Sequence, residues 1–84
     1  MSITNFIEKM AGKKVTIYMC DMSDNIECIV KMDPIFDYVE EGARINIYDQ
    51  RENMVSIPAD GKIIENEDGE YKCLTEGKIF LFYC

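Results

Sequence analysis

The apolar positions of this chain change their period once, at Gly12. Upstream of it, Ile3, Phe6, Ile7 and Met10 follow the i, i+3, i+4, i+7 spacing of one helical face, which predicts a helix over residues 2–12. Ser2 or Thr4 offers a capping oxygen, Asn5 stands three residues before Glu8, and Gly12 suits the left-handed position just past a helix end. A helix this short is not stable alone, so it must lie on another element.

Downstream the period is two. Val15, Ile17 and Met19 alternate with Lys14, Thr16 and Tyr18, and after the turn residues Asp21–Asn25 the alternation resumes at Ile26, Cys28, Val30 and Met32. These two runs read as a hairpin. Asp33-Pro34 stops the second strand, because proline lacks an N–H and restricts its predecessor. Residues 35–39 fit either a continuing strand or a packed loop. Further strands are predicted around Ile45–Tyr48, Met54–Ile57, Lys62–Glu65, Tyr71–Leu74 and Ile79–Tyr83. Asp68-Gly69 and Glu76-Gly77 are hairpin signals between the last three. The last strand is apolar on both parities, so one face should meet the core and the other the helix or a second subunit. The expected fold is mainly β. A short N-terminal helix precedes six or seven antiparallel strands in a meander that curls into a small barrel, in one domain of residues 1–84 with the barrel over 13–84.

Composition narrows the chemistry. The 84 residues allow one modest core. The chain has no His, which removes the commonest general base and transition-metal ligand and rules out Ser-His-Asp or Cys-His catalysis within one chain. No Gly-rich phosphate loop is present, and no carboxylate pair is singled out by its spacing. The chain is therefore read as non-enzymatic and without a cofactor.

Cys20, Cys28, Cys73 and Cys84 are separated by 8, 45 and 11 positions, with no C-x-x-C pair, so zinc-ribbon and thioredoxin-like motifs are unsupported and no metal site is assigned. The sequence shows neither a secretory signal nor an apolar run of membrane-spanning length, and its cysteines fall in strand-like runs. The expectation is a cytoplasmic protein with reduced thiols and no membrane contact. Cys28 and Cys73 are read as small core residues.

The net charge of −7 is uneven: residues 1–20 carry three lysines and one acid, whereas residues 21–84 carry six basic and fifteen acidic residues. A body this acidic disfavours nucleic acid as a partner. Two acidic groups stand out, Asp37, Glu40 and Glu41 in one, and Glu65, Glu67, Asp68 and Glu70 in the other. Solvated loops account for both, and pairing with a basic protein partner is the sharper reading. Tyr18, Phe36, Tyr38, Tyr48, Phe80 and Phe82 supply candidate contact surface.

The N-terminal order resembles that of Sm-like proteins, in which a short helix leads into a strand of the form G-K-x-V-x-I. Here Phe6-Ile7-Glu8-Lys9-Met10 leads into Gly12-Lys13-Lys14-Val15-Thr16-Ile17, and the likeness covers roughly the first 30 residues. It implies a small Sm-like or SH3-like barrel and ring-like assembly through strand edges. It does not carry RNA binding. The second strand has Cys28 and Ile29 where the family usually has a glycine. The base-contacting Asp and Asn loop is not reproduced around Asp33–Tyr38, and Gly77-Lys78 reverses the closing Arg-Gly signature. The resulting expectation is a binding or oligomerisation module with a protein partner, a homo-oligomer. Two rivals are an acidic inhibitor of a nucleic-acid-handling or defence enzyme, and a small-molecule binder with an intersubunit pocket.

Overall fold

Among the described residues, one helix, α1 (Ile3–Met10), precedes eight strands: β1 (Val15–Cys20), β2 (Ile26–Met32), β3 (Ile35–Glu41), β4 (Arg44–Asp49), β5 (Met54–Pro58), β6 (Lys62–Glu65), β7 (Glu70–Thr75) and β8 (Lys78–Tyr83). The structure is a computed structural model and describes residues 2–66, 70–75 and 77–83. Two turn signals, Asp68-Gly69 and Glu76, and the terminal Cys84 lie outside the described residues.

The helix is shorter at both ends than the predicted 2–12. Ser2 is the N-cap, its hydroxyl accepting the Asn5 N–H at 3.2 Å, and Ala11 leaves helical geometry at the other end. Gly12, at φ +80°, turns the chain out through the left-handed region. Its N–H donates to the Ile35 carbonyl at 2.8 Å, and the Ile35 N–H returns to the Lys13 carbonyl at 3.3 Å. The helix exit is thereby tied to the start of β3.

The strands form two antiparallel sheets, a five-stranded one in the order β2-β1-β8-β7-β6 and a three-stranded one in the order β3-β4-β5. The count of eight exceeds the expected six or seven, and residues 35–39 belong to a strand, not a loop. The single meander becomes two sheets, with the first and last strands paired from Thr16–Tyr83 to Cys20–Ile79. Two bends cause this. At Asp33-Pro34 the chain passes from β2, paired to β1, into β3, paired to β4. At Ala59-Asp60-Gly61 it passes from β5, paired to β4, into β6, paired to β7. Strands that change sheets at such corners are a general way of joining two packed sheets.

One core lies inside both sheets. It contains Ile3, Phe6, Ile7 and Met10 from α1 together with Val15, Ile17, Ile45, Ile47, Val55, Ile57, Phe80 and Phe82 from the strands. The Phe6 ring packs 4.9 Å from both Tyr71 and Phe82. Helix and core therefore share the same face of β8, and the opposite face of that strand carries Ile79, buried, Leu81, half-buried, and Tyr83, exposed. Gly61 sits where a side chain has no room: a Cβ there would lie 2.5 Å from the buried Cys73 Sγ.

Candidate functional site

The outer face of the five-stranded sheet follows from its register. Tyr18 pairs with Ile29 on one side and Leu81 on the other, Leu81 with Lys72, and Lys72 with Ile64. Because side chains alternate, all five lie in one transverse row on one face. The next row toward the β1–β2 hairpin is Ile26, Cys20, Ile79, Leu74 and Lys62, and the row on the other side is Lys31, Thr16, Tyr83 and Glu70. Ile29 is 51% exposed, Ile64 43% and Tyr83 39%. Tyr18 meets Tyr83 edge to face, with ring centroids 5.2 Å apart. Burial and then Glu70 push the Tyr83 hydroxyl pKa up. Cys20 and Ile79 are buried on this side, away from the main core. Burial, followed by Asp24, Asp21 and Glu27, raises the Cys20 thiol.

The predicted contact residues separate into three groups. Tyr18 and Tyr48 are half-buried on the outer faces of the two sheets, where Tyr48 lies between Asp37 and Met54. Phe36 is exposed on β3, and Tyr38 is half-buried against the core. Phe80 and Phe82 are not surface residues: both point inward and are buried, because the register with β1 places them beside Met19 and Ile17. Cys28 departs from expectation in the other direction. Its parity is inward, yet it is exposed on edge strand β2. Cys73 is buried as expected, and burial, with a smaller contribution from Asp60, pushes its thiol up to about 11.

The acids are not gathered into one site. Asp37, Glu40 and Glu41 are exposed along β3, at an edge of the three-stranded sheet. Glu65 is exposed at the end of β6 and Glu70 is partly buried at the start of β7, both in the other sheet. Glu67 and Asp68 lie outside the described residues. Glu41 accepts the Asn46 side-chain N–H at 3.0 Å, and Asp37 accepts the Tyr38 N–H at 2.8 Å.

One carboxylate stands apart from these. Asp49 is fully buried at the end of β4. Its Oδ1 accepts the N–H groups of Arg51 and Asn53, both at 2.9 Å, and its Oδ2 accepts Asn53 Nδ2 at 2.9 Å and the Asp33 N–H at 3.0 Å. Burial alone would raise its pKa; the hydrogen bonds, led by those from Asn53, outweigh it and leave the carboxyl below the usual range. A group whose acceptor sites are so engaged holds the β4–β5 turn to the β2–β3 corner. Asp33 strengthens that corner through an ion pair with Arg51 at 2.8 Å.

The Asp49 turn has a twin. Asp21-Met22-Ser23-Asp24-Asn25 and Asp49-Gln50-Arg51-Glu52-Asn53 share the pattern D-x-x-(D/E)-N. In both, the aspartate carboxylate accepts the N–H groups two and four residues on. In both, the fourth residue is left-handed, Asp24 at φ 63° and Glu52 at φ 65°. Each is a three-residue hairpin loop built on a turn followed by a left-handed residue. The recurrence is visible in the sequence once the two turns are aligned. The two hydrogen bonds to its carboxylate from the Asn25 and Ser23 N–H groups likewise hold Asp21 low.

Among the described residues, no three acidic or sulfur ligands converge on a point where they could hold a metal ion. Nor is any described helix long and apolar enough to cross a membrane. No protein-family model, curated protein or solved structure matches the chain.

Proposed function

We propose that this chain is a non-enzymatic binding and oligomerisation module that works through sheet faces, strand edges and acidic turns. In this reading the two sheets are a small barrel of the SH3-like or Sm-like kind, opened at two corners. The support for the barrel is topological. Paired neighbours follow chain order from β1 round to β8, and only the β2–β3 and β5–β6 bends interrupt the circuit.

The observation that carries the functional reading is where the uncovered apolar groups lie. Ile29, Ile64 and Tyr83 face outward from one sheet, and Phe36, Val39 and Met54 are exposed on the other. Large exposed side chains clustered on flat sheet faces suit association better than catalysis. The deeply buried acid, Asp49, has a structural task instead.

The acidic-inhibitor reading rests on Asp37, Glu40 and Glu41, exposed together along an unpaired edge. A pocket reading has less support. The cleft between α1 and β3, lined by Ile7, Ala11, Ile35 and Tyr38, holds about 160 Å³, below the roughly 300 Å³ at which small-molecule sites usually begin, and the larger depressions, about 520 Å³ beside Ala43, Pro58 and Asp60 and about 440 Å³ beside Lys14 and Tyr83, lie wide open to solvent.

The test compares three variants that leave the core alone: Ile29→Glu, Met54→Glu, and the triple neutralisation of Asp37, Glu40 and Glu41. The proposed function requires at least one of them to abolish association, measured by sedimentation, with the melting temperature unchanged. A protein that stays monomeric and binds no protein partner, while a small molecule raises its melting temperature, would overturn the module reading.

A further inference from the structure

Cys20 and Ile79 are buried on the outer face of the five-stranded sheet, but Ile26, Ile29, Ile64 and Tyr83 on it are exposed, and the chemistry of that face selects one kind of occupant. Its central row is Ile29–Tyr18–Leu81–Lys72–Ile64, apolar but for the half-buried Lys72. Its corners alternate in charge. At the hairpin end, Asp24 marks the β2 side and Lys62 the β6 side; at the opposite end, Lys31 marks the β2 side and Glu70 the β7 side. A surface with alternating corners is complementary to itself, as a two-fold interface requires.

Shape agrees with charge. An open groove of about 440 Å³ lies at the lysine end, lined by Lys14, Thr16, Lys31, Asp33 and Tyr83 among others. Asp33 within it is already paired with Arg51, which leaves the lysines to set its sign. At the other end of the same two strands, the hairpin tip carries Asp24 and the exposed Met22, which is 61% accessible.

We infer that this face binds a second copy of the chain, face to face, about a two-fold axis that runs between the two faces, parallel to the sheet and across its strands. Such an axis exchanges the ends of the sheet and keeps its sides. Met22 and Asp24 of one copy then enter the groove beside the partner's Lys14 and the partner's Lys31. Lys62 meets the partner's Glu70, and Tyr18 and Leu81 pack at the centre. A nucleic-acid strand on the same face would meet acids at two of the four corners, on a chain of net charge −7. Five strands spaced about 4.8 Å apart and six residues long give a face roughly 20 Å on a side, small for a specific interface, so the dimer should be of micromolar strength. This inference rests on the module reading and specifies its partner.

The experiment is sedimentation equilibrium on the full chain. Wild type should show a monomer–dimer equilibrium. Ile29→Glu should weaken it by roughly 30-fold or more, because it places a charge in the apolar centre, with the melting temperature held. Lys62→Glu and Glu70→Lys should each weaken the dimer, and the double swap should restore it. A strictly monomeric wild type, a dimer indifferent to Ile29→Glu, or a double swap that fails to restore association overturns the inference. Larger assemblies insensitive to Ile29→Glu also overturn it while leaving the module reading standing, because they would use strand edges. Wild-type monomers that bind a single-stranded oligonucleotide, and lose it on Ile29→Glu, would do the same.

Discussion

Asp49 accepts four hydrogen bonds while shielded from solvent, and its charge is what makes the arrangement work. Asn in its place keeps one carbonyl acceptor and turns the other position into a donor facing donors. Asp49→Asn should therefore lower the melting temperature clearly, and Asp49→Ala further, whereas neutralising exposed Glu40 should change little. The pH dependence has a definite sign. The folded carboxyl lies below its unfolded value of about 3.9. Its contribution is therefore complete above that value and is lost as pH falls through the folded pKa. Thermal unfolding from pH 7 down to pH 2 should show a steeper acid decline in wild type than in Asp49→Asn; parallel curves would contradict this role.

Gly61 and Cys73 make a second residue-scale case. A methyl group at Gly61 would come within 2.5 Å of the Cys73 sulfur, which has little freedom to retreat in the core. Gly61→Ala should destabilise the protein by about 1–3 kcal/mol. In the background of Cys73→Ala the sulfur is gone and the added methyl fills the vacated space. The double variant should therefore be more stable than the sum of the singles predicts, by an interaction of at least about 0.5 kcal/mol in denaturant titrations. Additive effects would mean that the close approach is relieved elsewhere.

Among the elements, α1 contributes by burial and not by its own propensity. Phe6 is completely buried against Tyr71 and Phe82, so Phe6→Ala should cost about 3–5 kcal/mol, measured by urea denaturation. The twin turns give a prediction of opposite sign. Glu52 holds a left-handed conformation that an L side chain adopts at a cost, so Glu52→Gly should be neutral or stabilising, by up to about 1 kcal/mol. A clear loss of stability there would mean that the Glu52 side chain makes a contribution beyond its backbone.

Much at this scale was legible in the sequence. The period of 3.6 gave the helix face, the period of two gave the strand parities, and Asp33-Pro34 marked the first bend. The failures have physical reasons. Ile79–Tyr83 is apolar on both parities, so only the pairing with β1 reveals that Phe80 and Phe82 face inward. Cys28 has an inward parity but lies on an edge strand that is exposed along that stretch. Asp49 continues the inward parity of Ile45 and Ile47, a signal hidden by the habit of reading a polar residue beside a turn as solvated. The eighth strand was obscured by its bulge, where the register shifts between Ile35 and Asp37.

For the whole molecule, the two bends decide what the fold offers a partner. They split the strands into two sheets around one core, and α1 closes that core from within. Among the described residues, no further helix or strand lies over the outer faces. The uneven charge of the chain then acquires a location. Lys14 from the basic N-terminal stretch and Lys31 from the acidic remainder stand at one end of the five-stranded sheet, and acids of the β1–β2 hairpin stand at the other. The largely apolar row between them, with Ile29 and Ile64 exposed, predicts self-association. Light scattering across a concentration series tests it most directly. The measured mass should rise from the monomer value of 9.7 kDa toward twice that value in wild type and stay at the monomer value in Ile29→Glu. A wild-type mass that remains at 9.7 kDa up to the highest concentration reached would contradict it.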